Sequence, residues 1–127
     1  MATRSAIAYY TNDQKIRAAY CHFDGYLECN GHILLSKYTG DWSKVEKLVE
    51  GGAMSSLGDT IEDTEYYTNR GEDLYVETFD SEEEYIVKMK DMGCEYFYLY
   101  VHDMEYDKNN PHWHYASLDV PEFSPVY

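Results

Sequence analysis

The sequence predicts an α+β fold, in which a mainly antiparallel sheet carries two or three helices packed on one face. Residues 95–102 place tyrosines and apolar side chains at alternate positions, and this period of two is typical of a β-strand. Residues 42–50 instead carry their apolar side chains at helical spacing. Short polar links, such as residues 11–14, join neighbouring strand-like runs and favour antiparallel pairing.

The first half of the chain predicts two strands followed by two helices. Residues 5–10 and 15–23 are rich in β-branched and aromatic side chains, and together they predict a β-hairpin. Helices are expected at residues 31–38 and 42–50, and a pair of glycines ends the second helix. Residues 54–58 are typical of a turn.

The second half completes the predicted order ββααβαββ. Residues 59–73 are polar and acidic, and we expect a long surface loop there, with a short strand as the alternative for part of it. A strand at 74–79 precedes a helix at 81–92, which opens with a capping box. Strands at 95–102 and 112–118 then form a final hairpin.

Length and composition predict a single domain spanning residues 1–127. An apolar content of 44% argues against wholesale disorder, and no apolar run reaches the ~18 residues that a membrane helix needs. Three cysteines do not make a disulfide framework, and no signal peptide is evident, so we expect a cytoplasmic protein.

The charge is unevenly distributed along the chain. Residues 1–58 form a neutral half with six bases and six acids, whereas residues 59–127 form a strongly acidic half with four bases and eighteen acids. The net charge of −14 therefore lies in the second half. This balance excludes a protein that holds nucleic acid on a basic surface.

Several short blocks of the first half resemble a group of small, uncharacterised accessory proteins of tailed bacteriophages. These blocks are MATRSAIA at the start, YCHFDGYLE at 20–28, NGHILL at 30–35 and SSLG at 55–58. The resemblance implies a phage accessory protein that works in the cytoplasm of a bacterial host, and it implies no particular chemistry. The acidic half departs from this pattern, apart from a weaker echo in the tyrosine-rich strand near residues 96–100.

The acidic half predicts a surface that imitates a nucleic acid. Duplex DNA carries one charge per about 1.7 Å of axis, and carboxylates at similar density on one face would fit the basic groove of a protein that handles nucleic acid. Tyr66 and Tyr67 would add aromatic anchors. Simple solubility and helix capping are the alternative explanations. The candidate partner-binding residues are Asp59, Glu62, Asp63, Glu65, Tyr66, Tyr67, Glu72, Asp73, Asp80, Glu82, Glu83, Asp103, Glu105 and Asp107.

Alternate tyrosines of the 95–102 strand predict an aromatic face. The face could stack nucleotide bases or form a homodimer interface, or helices could cover it and make the rings part of the core. The candidate oligomer or ligand-stacking residues are Tyr96, Tyr98, Tyr100, Trp113 and Tyr115.

The turn-rich stretch that follows the first hairpin has two interpretations. Asp24-Gly25-Tyr26 and Asn30-Gly31 favour turn chemistry, in which Gly and Asn supply positive φ. Alternatively, a rigid loop presents Tyr26 and Glu28 to a partner.

The chain carries no recognisable catalytic motif or metal motif. Cys21 and His22 are adjacent in a predicted strand and point to opposite faces, so they do not form a dyad. His102, His112 and His114, or Cys21, Cys29 and His32, lack the spacing of a zinc site. We therefore expect no enzyme, no catalytic residue, no metal and no cofactor.

Together these observations predict a phage-encoded, non-enzymatic inhibitor of a bacterial host or defence protein, of the anti-defence, anti-CRISPR or anti-restriction type. Its partner would be a protein that handles nucleic acid, bound in the host cytoplasm without direct contact to nucleic acid or membrane. One alternative is an oligomeric sponge for a nucleotide second messenger of host defence. A second alternative is a structural or assembly protein.

Overall fold

The computed structural model describes residues 3–38, 42–71, 75–101 and 112–125. A π-helical turn at Leu27–Gly31 and a 3-10 turn at Tyr67–Arg70 accompany the main elements. The strands are β1 Ser5–Tyr10, β2 Ile16–Cys21, β3 Met54–Ser56, β4 Glu65–Tyr66, β5 Glu77–Phe79, β6 Tyr96–Val101, β7 His112–Ser117 and β8 Ser124–Pro125. The helices are α1 His32–Lys37, α2 Trp42–Glu50 and α3 Glu82–Asp91.

The strands form one sheet in the order β4-β3-β2-β1-β6-β7-β8, and β5 also pairs with β2. Five of the seven pairings between described strands are antiparallel, and β1–β6 and β2–β3 are parallel. The predicted α+β class with a mainly antiparallel sheet is confirmed. Both predicted hairpins, β1–β2 and β6–β7, are present.

Two helices, α1 and α2, pack on one face of the sheet as predicted, and α3 covers the opposite face. Ile7 and Tyr9 face the cluster of α1 and α2, whereas Ala6 and Ala8 face the cluster of α3 on the other side. A strand covered on both faces is apolar at consecutive positions instead of alternate ones. The run Ala6–Tyr9 has this pattern, and it is the signal that predicts the second layer.

Two segments contain short strands where the main prediction was a turn or a loop. The expected turn at 54–58 contains β3, and the expected loop at 59–73 contains β4 and the 3-10 turn. These strands are only two or three residues long, and their pairing depends on partners that are distant in the sequence. The predicted strand at 74–79 is present as β5.

Helix α3 begins as its sequence predicts. The Ser81 hydroxyl accepts a hydrogen bond from the Glu84 backbone N–H at 3.2 Å, which caps the helix. The Glu84 carboxylate accepts a second bond from the Asp80 N–H at 2.9 Å. Among the described residues, no helix is long and apolar enough to cross a membrane.

Candidate partner-binding surface

The predicted tyrosine face lies inside the protein. Tyr98, Tyr100 and Trp113 are completely buried beneath α1 and α2, and the Tyr98 hydroxyl donates to the Gly25 carbonyl at 2.7 Å. Tyr96 and Tyr115 are half-buried, and the Tyr96 ring stacks on that of Tyr98. Buried rings can neither stack a ligand nor meet a second copy. For the three buried residues the oligomer and stacking hypothesis is therefore wrong, and the alternative that helices cover this face holds.

The predicted acidic residues do not gather on one face of the described structure. Asp59, Glu62, Asp63 and Glu65 follow β3, in a segment whose apolar residues pack with the α1–α2 cluster. Residues 80–84 open α3, which packs on the opposite face. Glu72, Asp73, Asp103, Glu105 and Asp107 lie outside the described residues.

Most carboxylates at the start of α3 stabilise the fold. Asp80 forms a salt bridge with Lys15, and Glu82 accepts a hydrogen bond from the Tyr10 hydroxyl. The hydrogen bond to Asp80 raises the pKa of Lys15, while burial and then the bond to Glu82 raise that of Tyr10. These contacts dock the β1–β2 hairpin on α3. Glu83, which is exposed, has no such contact among the described residues.

The segment 59–65, called here the acidic loop, has a different construction. The Thr64 hydroxyl donates to the Thr60 carbonyl at 2.9 Å and accepts from the Gly58 N–H at 3.1 Å, while the Asp63 N–H donates to the Thr60 hydroxyl. Tyr38 anchors the loop from below through a 2.9 Å bond to the Gly58 carbonyl. Side-chain hydroxyls therefore satisfy the backbone and hold the loop in one shape.

The carboxylates of the acidic loop point to solvent. Asp59, Glu62 and Asp63 are exposed, and the described part of the chain offers them no salt-bridge partner. Between Lys47 and Arg70 the sequence contains no lysine or arginine. Burial of the Tyr38 hydroxyl, with a smaller contribution from these charges, raises its pKa. Asp59, Glu62 and Asp63 therefore carry negative charge that no lysine or arginine of the described ranges pairs with.

The two predicted aromatic anchors do not serve as such. Tyr66 is buried and donates a 2.6 Å hydrogen bond to the Leu48 carbonyl, and its ring packs against Gly51. This contact ties β4 to α2, which makes the predicted anchor role of Tyr66 wrong. Tyr67 is half-buried.

Residues 22–28, called here the aromatic loop, present the aromatic surface instead. Phe23 is 44% exposed and Tyr26 is 39% exposed, and the edge of one ring meets the face of the other in the His22–Phe23 pair, with centroids 4.5 Å apart. The sequence interpretation included a loop that presents Tyr26 and Glu28, but it missed Phe23. The sequence signal for this exposed surface was the presence of two aromatic residues within a stretch rich in turn residues.

The aromatic loop is held by buried hydrogen bonds. The Gly25 N–H donates to the Thr3 carbonyl at 2.8 Å, and the side-chain amide of buried Asn30 donates to the Phe23 carbonyl at 3.2 Å. Asp24, and not a glycine or Asn30, adopts positive φ, at 58°. Gly25 is required for space, because a Cβ there would lie 2.7 Å from the Ser5 Cβ. The predicted role of the glycines in supplying positive φ is thus wrong for this turn.

The aromatic loop and the acidic loop are neighbours. The Phe23 N–H donates to the Ser55 carbonyl on one side of β3, and Glu65 pairs with Ser56 on the other side. Two strand spacings amount to about 10 Å, which places both loops at one corner of the sheet. We call this combined area the corner surface.

The thiol at this corner is not arranged for catalysis. Burial raises the pKa of Cys21 to about 12, and its sulfur lies 3.5 Å from the side-chain amide of Asn30. His22 shares a 2.8 Å hydrogen bond with the Tyr20 hydroxyl. Within the described ranges, no cluster of three or more His, Cys, Asp or Glu residues is positioned to hold a metal ion. His102 and the side chain of His112 lie outside the description.

No protein-family model, curated protein or solved structure matches this chain. The geometry and charge of the corner surface are therefore the basis for assigning a function.

Proposed function

We propose that this protein is a phage-encoded, non-enzymatic inhibitor of a bacterial host or defence protein. Its acidic loop would occupy a basic groove that normally holds nucleic acid. The observation that carries the proposal is the exposure of Asp59, Glu62 and Asp63 on a hydrogen-bonded loop that contains no cation. The bacterial setting comes from the resemblance described above.

The acidic loop has the properties that such competition requires. A carboxylate that is already paired gains little from a cationic partner, whereas an unpaired one adds long-range attraction and accelerates encounter. Because the loop is fixed before binding, little conformational entropy is lost on association. The α3 carboxylates that hold Lys15 and Tyr10 lack this advantage. The acidic loop is therefore the principal contact in this proposal.

The two alternatives have less support than the inhibitor hypothesis among the described residues. A nucleotide sponge needs stacking rings and available cations, but Tyr98 and Tyr100 are buried, and Arg17 is bound by Glu50. An assembly role through the tyrosine face meets the same difficulty. We retain the inhibitor hypothesis alone.

A pull-down from host lysate with a charge-neutralised variant tests the proposal. The acidic-loop triple variant Asp59→Asn, Glu62→Gln and Asp63→Asn removes three charges without changing side-chain size. We expect wild type to retain a nucleic-acid-processing protein that high salt releases, and the triple variant to bind it at least about tenfold more weakly.

A matched control removes the same charge elsewhere. Glu83→Gln, Asp91→Asn and Asp119→Asn change three exposed acids outside the corner surface. This control should keep the affinity of wild type for the captured protein to within a few-fold. Equal losses in both triple variants would mean that net charge alone drives binding, and unchanged capture by the acidic-loop variant would remove that loop from the proposal.

A further inference from the structure

Phe23 and Tyr26 are unusual in their exposure. The other large hydrophobic side chains that are exposed in the described ranges are aliphatic, namely Val87, Leu118 and Val120. The two exposed large aromatic side chains of the described ranges thus lie three positions apart in the aromatic loop. Exposed aromatic side chains on a fixed backbone are typical of contact residues that carry binding energy.

The rings lie in a negatively charged environment. Asp24 and Glu28 are exposed within the same loop, and the sequence has no lysine or arginine from residue 18 to residue 36. The acidic loop adds further carboxylates across β3. An anionic ligand is disfavoured here, and so is a second copy of a chain with net charge −14.

The occupant that matches this combination is cationic and flat. A guanidinium group stacks on an aromatic face and can also donate two parallel hydrogen bonds to a carboxylate. A lysine ammonium is a compact, strongly hydrated charge that uses an aromatic face less well. Rings beside carboxylates therefore discriminate between the two cations, whereas carboxylates alone do so weakly.

We infer that the aromatic loop is an arginine-selective contact, which receives an arginine-rich segment of the partner through Phe23 and Tyr26. This inference rests on the proposed function, since it names the chemistry of the partner at the same corner surface. The acidic loop supplies attraction for any cation, and the aromatic loop supplies the preference for arginine. The bonds from Gly25 to Thr3 and from Asn30 to Phe23 hold the backbone that carries these rings.

Peptide binding to the full chain tests the inference. An arginine-rich peptide and its lysine counterpart, equal in length and charge, are titrated into the purified protein at the same salt concentration. We expect the arginine peptide to bind roughly two- to fivefold more tightly for each ring engaged. Phe23→Leu and Tyr26→Leu, which keep apolar volume and remove the ring, should lower arginine affinity to the lysine level. The affinity of these two variants for the lysine peptide should equal that of wild type.

Three further measurements make the outcome decisive. In wild-type protein, NMR signals of the Phe23 and Tyr26 ring protons should shift with the arginine peptide and barely with the lysine peptide. Leu118→Ala, which removes exposed apolar surface elsewhere, should leave both affinities unchanged. The acidic-loop triple variant should weaken both peptides equally.

Each failure points to a different part of the model. Equal affinity for the two peptides, unmoved ring signals, or no binding of either peptide would overturn the arginine-selective contact. If the ring variants have no effect while the acidic-loop variant weakens both peptides, the proposed function stands without this inference. If capture from lysate also ignores the acidic-loop variant, the proposed function itself fails.

Discussion

At the scale of the residue, Glu50 is held by three hydrogen bonds. Its carboxylate accepts two hydrogen bonds from Arg17, at 2.6 and 2.9 Å, and a third from the Tyr9 hydroxyl at 2.7 Å. The bond to Arg17 is the main reason that the pKa of Glu50 is lowered, although partial burial opposes it. This cluster attaches the end of α2 to both strands of the first hairpin.

Glu50→Gln should reduce the free energy of unfolding by about 1–2 kcal/mol at neutral pH, because the charge-assisted pairing is lost at a partly exposed site. A lowered folded-state pKa contributes stability above the unfolded value of about 4.3, and this contribution disappears as pH falls through the folded-state pKa. The difference between wild type and variant should therefore shrink in acid.

Urea denaturation across a pH series measures this effect. Glu122→Gln, at an exposed residue, is the control and should follow the wild-type curve at every pH. If the Glu50→Gln curve runs parallel to that of wild type down to acid pH, Glu50 does not carry the linked proton.

Burial also decides the role of the residues that the sequence analysis emphasised. Tyr98 and Tyr66 look like interaction residues in the sequence, yet both hydroxyls bond backbone carbonyls inside the protein. Amphipathic tyrosine suits either location, because its ring is apolar and its hydroxyl needs one partner. Composition therefore does not separate a core tyrosine from an exposed one.

At the scale of the element, the aromatic loop depends on one glycine. The chain passes so close to the first strand that a Cβ on Gly25 would lie 2.7 Å from the Thr3 carbonyl oxygen as well as the Ser5 Cβ. The Gly25 carbonyl also accepts the Tyr98 hydroxyl. This residue fixes the loop to both the strand and the core.

Gly25→Ala should destabilise the protein by about 1–3 kcal/mol, because backbone or Ser5 must move to admit the methyl group. In the Gly25→Ala variant, hydrogen exchange should also show faster opening of residues 22–28 than of β6. Gly71→Ala is the comparison, since Gly71 has open space and only its positive φ of 85° opposes the change. If Gly25→Ala has the same stability and hydrogen-exchange rates as wild type, the close approach at this residue is easily relieved.

At the scale of the whole molecule, the charge is divided between two faces of one sheet. The acids at the start of α3 pair with the hairpin, whereas Asp59, Glu62 and Asp63 of the acidic loop have no salt-bridge partner among the described residues. With a net charge of −14, repulsion among unpaired acids opposes the compact state.

Salt should therefore stabilise the folded protein. Raising ionic strength from about 0.01 M to about 0.1 M shortens the screening length from about 30 Å to about 10 Å, which weakens this repulsion. The urea midpoint should rise over this range, and it should rise less in the acidic-loop triple variant. A midpoint that falls with salt would mean that pairs such as Lys15–Asp80 outweigh the repulsion.

The sequence by itself determined the local elements and the charge. Alternation along 96–101 predicted which side chains of β6 share a face, and Ser81 with Glu84 predicted where α3 begins, because both signals come from residues a few positions apart. The two hairpins and the α+β class followed from the same short-range patterns. Acidity is a property of composition and needs no fold.

Only the tertiary structure decided which face each helix covers, which carboxylates are paired, and that the aromatic and acidic loops adjoin. These features depend on contacts between segments distant in sequence, such as Phe23 with Ser55 and Lys15 with Asp80. No local period encodes them, since they follow from how strands pair across the sheet and how their two faces become buried. The corner surface exists because β3, a strand of three residues, brings the two loops together.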